Sequence, residues 1–314
     1  MEIDDVLCRW GGVATRTALV AVCGRAAVDR ALHSGSLTVL ARGRYAAIQL
    51  QEDIAAAYAL SGHLSHESAA LRHGWAVLEV PDRPHVTVPA KRKVAQASRK
   101  RAWIHYADLH VDEVTGAGTS VDRTLGDCLR ALPFASALAV ADSALRSGCS
   151  EARLIRVAGE LRGPGAKRAR TVAGEANALA ANPFESALRA ICLGIRGLKV
   201  RPQVPLYAGA EFLGRPDLVD TDLGIVIEAD SFQWHGTRGA LVRDAQRYNG
   251  FAAAGWLVLR FTWEDVFLHA HRVEEVLRIA VARQDQRVPQ ARRRARKAVV
   301  PVRLPTTTQN PKVR

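Results

Sequence analysis

The chain has 314 residues, 48% of them apolar and 24% charged, with a formal net charge of +13. That length exceeds one small core and implies two or three domains, and the balance of apolar and charged residues is that of a globular chain. No window approaches the roughly eighteen uninterrupted apolar residues of a membrane span, and the opening MEIDDVLCRW carries acids where a signal peptide needs bases, so a cytoplasmic protein is expected.

Nine Lys or Arg and no acid fall in residues 287–314, so most of the charge excess is one basic extension. Such a tail attracts phosphate polyanions without reading sequence. The five cysteines (Cys8, Cys23, Cys128, Cys149 and Cys192) are scattered and include no CxxC pair, which predicts reduced, buried thiols.

Residues 1–50 predict a compact helical unit with a hairpin. Ile3, Val6, Leu7 and Trp10 have helical spacing, and Gly11-Gly12 stops that helix. Thr15 is placed to cap a second helix bearing Ala18, Leu19 and Val22. A third helix, from Arg25 to Ser34, turns Val28, Ala31 and Leu32 inward and exposes Arg25, Arg30 and His33, with Gly35 suited to its end. Two apolar runs, 37–41 and 45–50, then flank Arg42-Gly43-Arg44. Helix, turn, helix and basic-tipped hairpin together form a winged helix-turn-helix pattern.

The stretch GGVATRTALVAVCGRAAVDRALHSGSLTVLARGRYA resembles the N-terminal domain of the AbiEi family of antitoxins from type IV toxin–antitoxin systems. The resemblance implies a DNA-binding winged helix, with a cognate toxin as a possible partner. It places the third helix, with Arg25 and Arg30, in the major groove and Arg42 and Arg44 of the wing against phosphate. The alternative is a three-helix module for protein contacts.

Residues 51–164 form an α/β middle region that resembles the part following the winged helix in the same antitoxins. An Ala-rich helix spans 54–64, and Ser65 precedes a short helix at 67–71. Residues 86–88 and 103–109 predict strands around a basic connection (Lys91, Arg92, Lys93, Arg99, Lys100, Arg101), which is either a solvated loop or a phosphate contact. Residues 124–131 and 134–146 predict amphipathic helices. His63, His66 and His73 lie close in sequence, but without paired Cys or Asp ligands surface or capping roles are expected. Residues 151–181, basic, Ala-rich and broken by Gly and Pro, leave room for short helices, and residues 165–181 within them predict a linker.

The domain at 182–284 predicts the order α-β-β-β-α-β-α. Asn182-Pro183 opens a helix carrying Glu185, Leu188, Ile191, Cys192, Ile195 and Leu198. Strands follow at 200–207, interrupted by prolines and so an edge, and at 212–219 and 224–230. A helix at 238–253 and an apolar strand at 256–261 come next. Thr262 with Asp265 forms a capping-box variant that opens a last helix. The fold class is α+β and multidomain, ending in a restriction-endonuclease-like mixed sheet flanked by helices; residues 285–314 are the basic tail.

Period-two alternation places Val226, Glu228 and Asp230 on one face of their strand, and Asp217 can oppose them from its neighbour. Carboxylates sharing one patch repel and are raised in pKa, and a divalent cation relieves the repulsion. The bland alternative is exposed strand-edge residues. The P-D at 216–217 followed by E-x-D at 228–230 is similar to the PD-(D/E)xK nuclease pattern. SFQWHG, RDAQRY and AGWLVLRFTWED resemble the very-short-patch-repair endonucleases and an uncharacterised domain family related to them. The resemblance implies Mg2+ (or Mn2+) held by Asp217, Glu228 and Asp230, with His235 as general base and Glu185 orienting a water. Asp244 and Arg247 would support the sheet or the phosphate. Two features depart from the pattern: Asp230 stands in the usual lysine position, and the repair enzymes' zinc site has no counterpart. Phe232 and Trp234 either wedge between bases or pack in the core. The expected function is a DNA-binding, Mg-dependent endonuclease; the alternatives are an antitoxin-like repressor with a degenerate nuclease fold, or a nuclease for RNA or branched DNA.

Overall fold

The computed structural model describes residues 3–9, 13–41, 44–47, 49–230 and 238–287. Arg42, Phe232, Trp234, His235 and most of the basic tail lie outside them, and Arg44 is described by its backbone alone.

The N-terminal unit comprises α1 (Ile3–Arg9), β1 (Val13–Thr15), α2 (Arg16–Cys23), α3 (Arg25–His33), β2 (Leu37–Ala41) and β3 (Arg44–Ala47). Its core gathers Ile3, Val6, Leu7, Leu19, Val28, Ala31 and Leu37. Thr15 caps α2 by accepting from Ala18 N, and Gly35 adopts the positive φ (75°) expected after α3. The strand order β1-β3-β2 adds β1 to the wing hairpin, a pairing the sequence pattern did not reveal. Three helices and this antiparallel sheet make a winged helix-turn-helix.

The middle region opens with α4 (Gln49–Ala59), β4 (His63–Leu64), α5 (His66–Arg72), β5 (His85–Val88), α6 (Gln96–Arg99), β6 (Trp103–Tyr106), β7 (Val114–Thr115) and β8 (Gly118–Thr119). Its five strands lie in the order β6-β5-β4-β8-β7. Four helices follow: α7 (Val121–Ala131), α8 (Phe134–Arg146), α9 (Glu151–Glu160) and α10 (Ala166–Glu175). They share a core with α5 that includes Leu71, Leu125, Leu138, Leu154 and Val172. The stretch expected as a linker therefore contains α10. Its residues Ala169, Val172 and Ala173 bury against α7, α8 and α9, and small side chains let the helices approach closely while the charged ones stay outside. Gly165 N-caps α10 with φ 82°, and a Cβ there would meet Arg130 O at 2.4 Å.

The C-terminal unit comprises α11 (Pro183–Leu193), β9 (Arg201–Pro202), β10 (Leu206–Ala208), β11 (Glu211–Gly214), β12 (Leu218–Asp220), β13 (Ile225–Asp230), α12 (Arg238–Ala253), β14 (Leu257–Thr262), α13 (Trp263–Leu268) and α14 (Ala270–Arg287). Its mixed sheet runs β14-β13-β12-β9, with β13 parallel to β14 and the other pairings antiparallel. Ile225 and Ile227 face α11, α13 and α14, whereas Val226 faces a second core with Val219, Leu206 and Phe251 of α12. The sheet is thus covered on both faces, which explains why β13 reads as an almost continuous apolar run. The long strands expected at 200–207 and 212–219 are each split. Prolines and Gly214 interrupt them, and β10 with β11 forms a separate hairpin. The Thr262–Asp265 capping box is present, and the final helix breaks at His269.

Candidate active site

The acidic residues converge because of strand register. Leu218 pairs with Ile227, so Asp217, one residue earlier, arrives beside Glu228, one residue later. Asp217 Oδ2 accepts from Ala229 N at 2.9 Å, which fixes the carboxylate to β13. Gln203, following β9, donates its Nε2 to Asp217 Oδ1 (3.1 Å) and to Glu185 Oε2 (3.3 Å). One amide thereby bridges an acid from the sheet and an acid from α11. Gln203 carries no signal in the sequence beyond its place beside an edge strand.

Glu185 does local work as well. Its Oε1 accepts from Asn182 Nδ2 (2.8 Å) and its Oε2 from Ala181 N (2.8 Å), while Asn182 Oδ1 accepts from Glu185 N (2.9 Å). This reciprocal cap closes the first turn of α11, where Pro183 needs no N–H partner.

Glu228 is 2% exposed, and its Oε1 has no hydrogen-bond donor within reach. Arg247 of α12 places Nη1 3.5 Å from that oxygen, an ion-pair distance rather than a hydrogen bond. Arg247 is oriented by Tyr248, whose hydroxyl accepts from Nη2 at 3.0 Å, and by Asp244 at 3.7 Å. Gly214 admits this packing: its φ is 141°, and a Cβ there would lie 3.2 Å from Arg247 Cδ and from Phe251.

The electrostatics follow from this geometry. Burial pushes Glu228 up to about 8, the negative charge of Asp217 adds to the rise, and Arg247 opposes it. Burial, then Asp217, pushes Glu185 up to about 8 as well. Burial raises Asp217, and the hydrogen bonds from Ala229 N and Gln203 pull it back. Three inward carboxyl groups therefore lie close together, with Arg247 easing Glu228 and Arg146 easing Glu185, and they cannot all be ionised at neutral pH.

The structure brings Asp217, Glu228 and Glu185 together, with Arg247 and Asp244 alongside. Asp230 lies two residues further along the same face of β13, and its carboxylate is engaged by Arg260 of β14, which also stacks over Tyr248 at 4.2 Å. Asp230 thus holds a cation that the sequence pattern did not point to. His235 is outside the described residues. On the winged helix, Arg25 and Arg30 are exposed along α3, and Arg44 begins β3 opposite Thr15. Asp29 of α3 is paired with Arg16 of α2, which removes an acid's repulsion from that surface.

A strut joins this unit to the helical region. Asp142 of α8, fully buried, accepts from Arg189 Nη2 through both oxygens (2.7 and 2.8 Å), from Ser186 Oγ (2.7 Å) and from Asn177 N (2.7 Å). No helix among the described residues is long and apolar enough to cross a membrane. Among the described residues Cys128, Cys149 and Cys192 form no disulfide, and Cys128 and Cys192 are buried.

No protein-family profile matches the chain, and no solved structure matches it. It is similar to uncharacterized proteins of two Mycobacterium tuberculosis strains, Oshkosh and H37Rv, each 28% identical over 146 residues. The match covers 46% of this chain and 54% of each relative, so the chain spans about half the length of the curated relatives it matches.

Proposed function

We propose that the protein binds DNA through its winged helix and hydrolyses phosphodiester bonds at the Glu185–Asp217–Glu228 cluster. The observation that carries this reading is Glu228 Oε1, a buried carboxylate oxygen without a donor, beside two more inward acids. A buried carboxyl oxygen left without a donor, among acids that cannot all be ionised together, fits a hard cation that would displace the retained proton, because oxygen donors suit Mg2+ or Mn2+. Asp217 and Glu228 would hold the ion, which supplies Lewis-acid stabilisation of charge at the phosphate.

The chain's own residues supply the rest. Gln203 and Ala229 N hold Asp217 at a fixed angle, and a ligand so constrained loses little freedom on binding. Glu185, raised in pKa by burial, can hold a proton near neutral pH and exchange it with a water beside Asp217. Arg247 offers an always-charged group for a phosphate oxygen, the role the missing lysine would fill. Exposed Arg25 and Arg30, with Arg42 and Arg44, supply the contacts to duplex phosphate and base edges.

Nicking of supercoiled plasmid in the presence of Mg2+ or Mn2+ tests this reading. The parent is expected to nick, and Asp217→Ala and Glu228→Ala are expected to abolish it. Residual activity that is equal in all three proteins would refute the assignment.

One observation favours a second reading. Arg247 already stands against Glu228, where it can neutralise the carboxylate without a metal. In that case the C-terminal unit is a retired nuclease scaffold and the winged helix acts as a repressor, with a toxin as a further partner. Calorimetric titration with Mn2+ separates the two: heat of binding that disappears in Asp217→Ala supports the nuclease, and no heat in the parent supports the repressor.

A further inference from the structure

The middle region carries a second cluster that plays no part in this function. His66 begins α5, His85 begins β5 and His105 lies on β6, the parallel neighbour of β5. One ring nitrogen from each lies within 4.8 Å of the others. The histidines near in sequence to His66 are not the ones it meets: His73 is used structurally, bonding Thr119 O (2.9 Å) and Thr124 Oγ1 (3.2 Å). Partners 19 and 39 residues away complete the set instead, which is why spacing could not reveal it.

Each ring is oriented. His85 Nδ1 faces His105 Nε2 at 2.9 Å, while His85 Nε2 faces Glu67 Oε2 at 3.4 Å. A proton on Nε2 directed at Glu67 leaves Nδ1 as a lone pair aimed at His105. Such carboxylate-to-imidazole contacts fix the tautomer of metal-ligating histidines. His66 Nδ1 is taken by Ser65 Oγ at 3.0 Å, which leaves its Nε2. The backbone is fixed too: Ser65 N donates to His85 O (2.9 Å) and His85 N to Ser68 Oγ (2.9 Å). His66 is held at φ +50°, an uncommon conformation for a residue with a Cβ.

We propose that His66, His85 and His105 form a binding site for a zinc-class divalent cation, with Glu67 positioning His85. Three imidazoles without a thiolate suit zinc and its neighbours rather than Mg2+. Glu67 Oε2 is buried without a hydrogen-bond donor, which a protonated His85 Nε2 supplies once the ring is locked by a metal. The site lies on the sheet of the middle region and not in the acidic cluster, so it stands whether or not the nuclease reading does.

Calorimetric titration of the untagged full chain with Zn2+ in excess Mg2+, with Co2+ absorption as a second probe, tests it. The parent is expected to bind one equivalent with a rise in melting temperature. His85→Ala and His105→Ala are expected to lose it, Glu67→Gln to weaken it about 10- to 100-fold, and Glu228→Gln to leave it unchanged. A parent that takes up no zinc overturns the proposal, whatever the variants do. So does binding that survives in both histidine variants, or that disappears in Glu228→Gln.

Discussion

Helix α11 contributes to two buried polar clusters built on opposite principles. Four residues apart, Arg189 meets Asp142 in a charge-balanced group, while Glu185 meets Asp217 through Gln203 in a group with surplus negative charge. Asp142 has four donor contacts from three residues, and only Arg189 Nε is left without a partner. The second cluster gathers three acids around the Gln203 amide and the Arg247 guanidinium among the described residues, and its Glu228 Oε1 is unsatisfied. Both clusters cost desolvation energy. The first recovers it within the protein and ties α8 to α11; the second leaves a debt that only an added cation or proton can settle.

The largest effect is expected at the balanced cluster. Asp142→Ala leaves Arg189 as an uncompensated buried cation and should cost about 3–5 kcal/mol in urea unfolding. The double variant Asp142→Leu with Arg189→Met should lose less than Asp142→Ala alone, because no orphaned charge remains. A double variant worse than the single would show that the pair is held for more than charge balance.

The opposite sign is expected at the surplus cluster. Glu228 ionises near its ordinary value of 4.5 when unfolded but only near 8 when folded. Between those values the folded state holds a proton that the unfolded state has released, so unfolding is favoured increasingly as pH rises. The parent should therefore lose stability from about pH 4.5 to 8, whereas Glu228→Gln should lose less. Thermal melts at pH 5 and pH 8 check this, with the gap between the proteins shifting in favour of the variant by on the order of 1 kcal/mol or more. Mg2+ at pH 8 should raise the parent's melting temperature and leave the variant's unchanged.

Arg247→Met should have a smaller effect, about 1 kcal/mol or less, since the guanidinium is 31% exposed and its pairing is screened by solvent. It should also move the pH-dependent loss of stability to higher pH, because Glu228 loses the cation that opposes its rise. The smallest change in stability is expected for Arg25→Ala and Arg30→Ala, within about 0.5 kcal/mol. Each should nevertheless lower the salt dependence of DNA affinity by about one unit of slope if it contacts a phosphate, as measured by fluorescence anisotropy across salt concentrations.

Local chemistry was legible wherever it acts within a few residues. Thr15 and Thr262 cap helices because a hydroxyl reaches an amide three positions on, and the boundaries of α8 and α12 follow from apolar spacing and flanking signals. Period-two alternation placed Glu228 and Asp230 on one face. It could not say which acid would join Asp217, since that depends on strand register and on where Arg260 lies in β14. The basic stretch around 165–181 hid α10, because its Ala-rich inner face becomes a core only when α7, α8 and α9 supply the other wall.

By itself the sequence determined the capped helix ends, the boundaries of α8 and α12, the basic wing and tail, and the acidic residues worth watching. All of these rest on interactions spanning a few residues or on simple periodicity. Tertiary structure alone decided that Gln203 links two acids, that Asp230 is engaged by Arg260, and that three histidines from two strands and one helix converge. Those contacts join residues far apart in the chain, and their geometry is set by strand pairing and helix packing rather than by spacing along it.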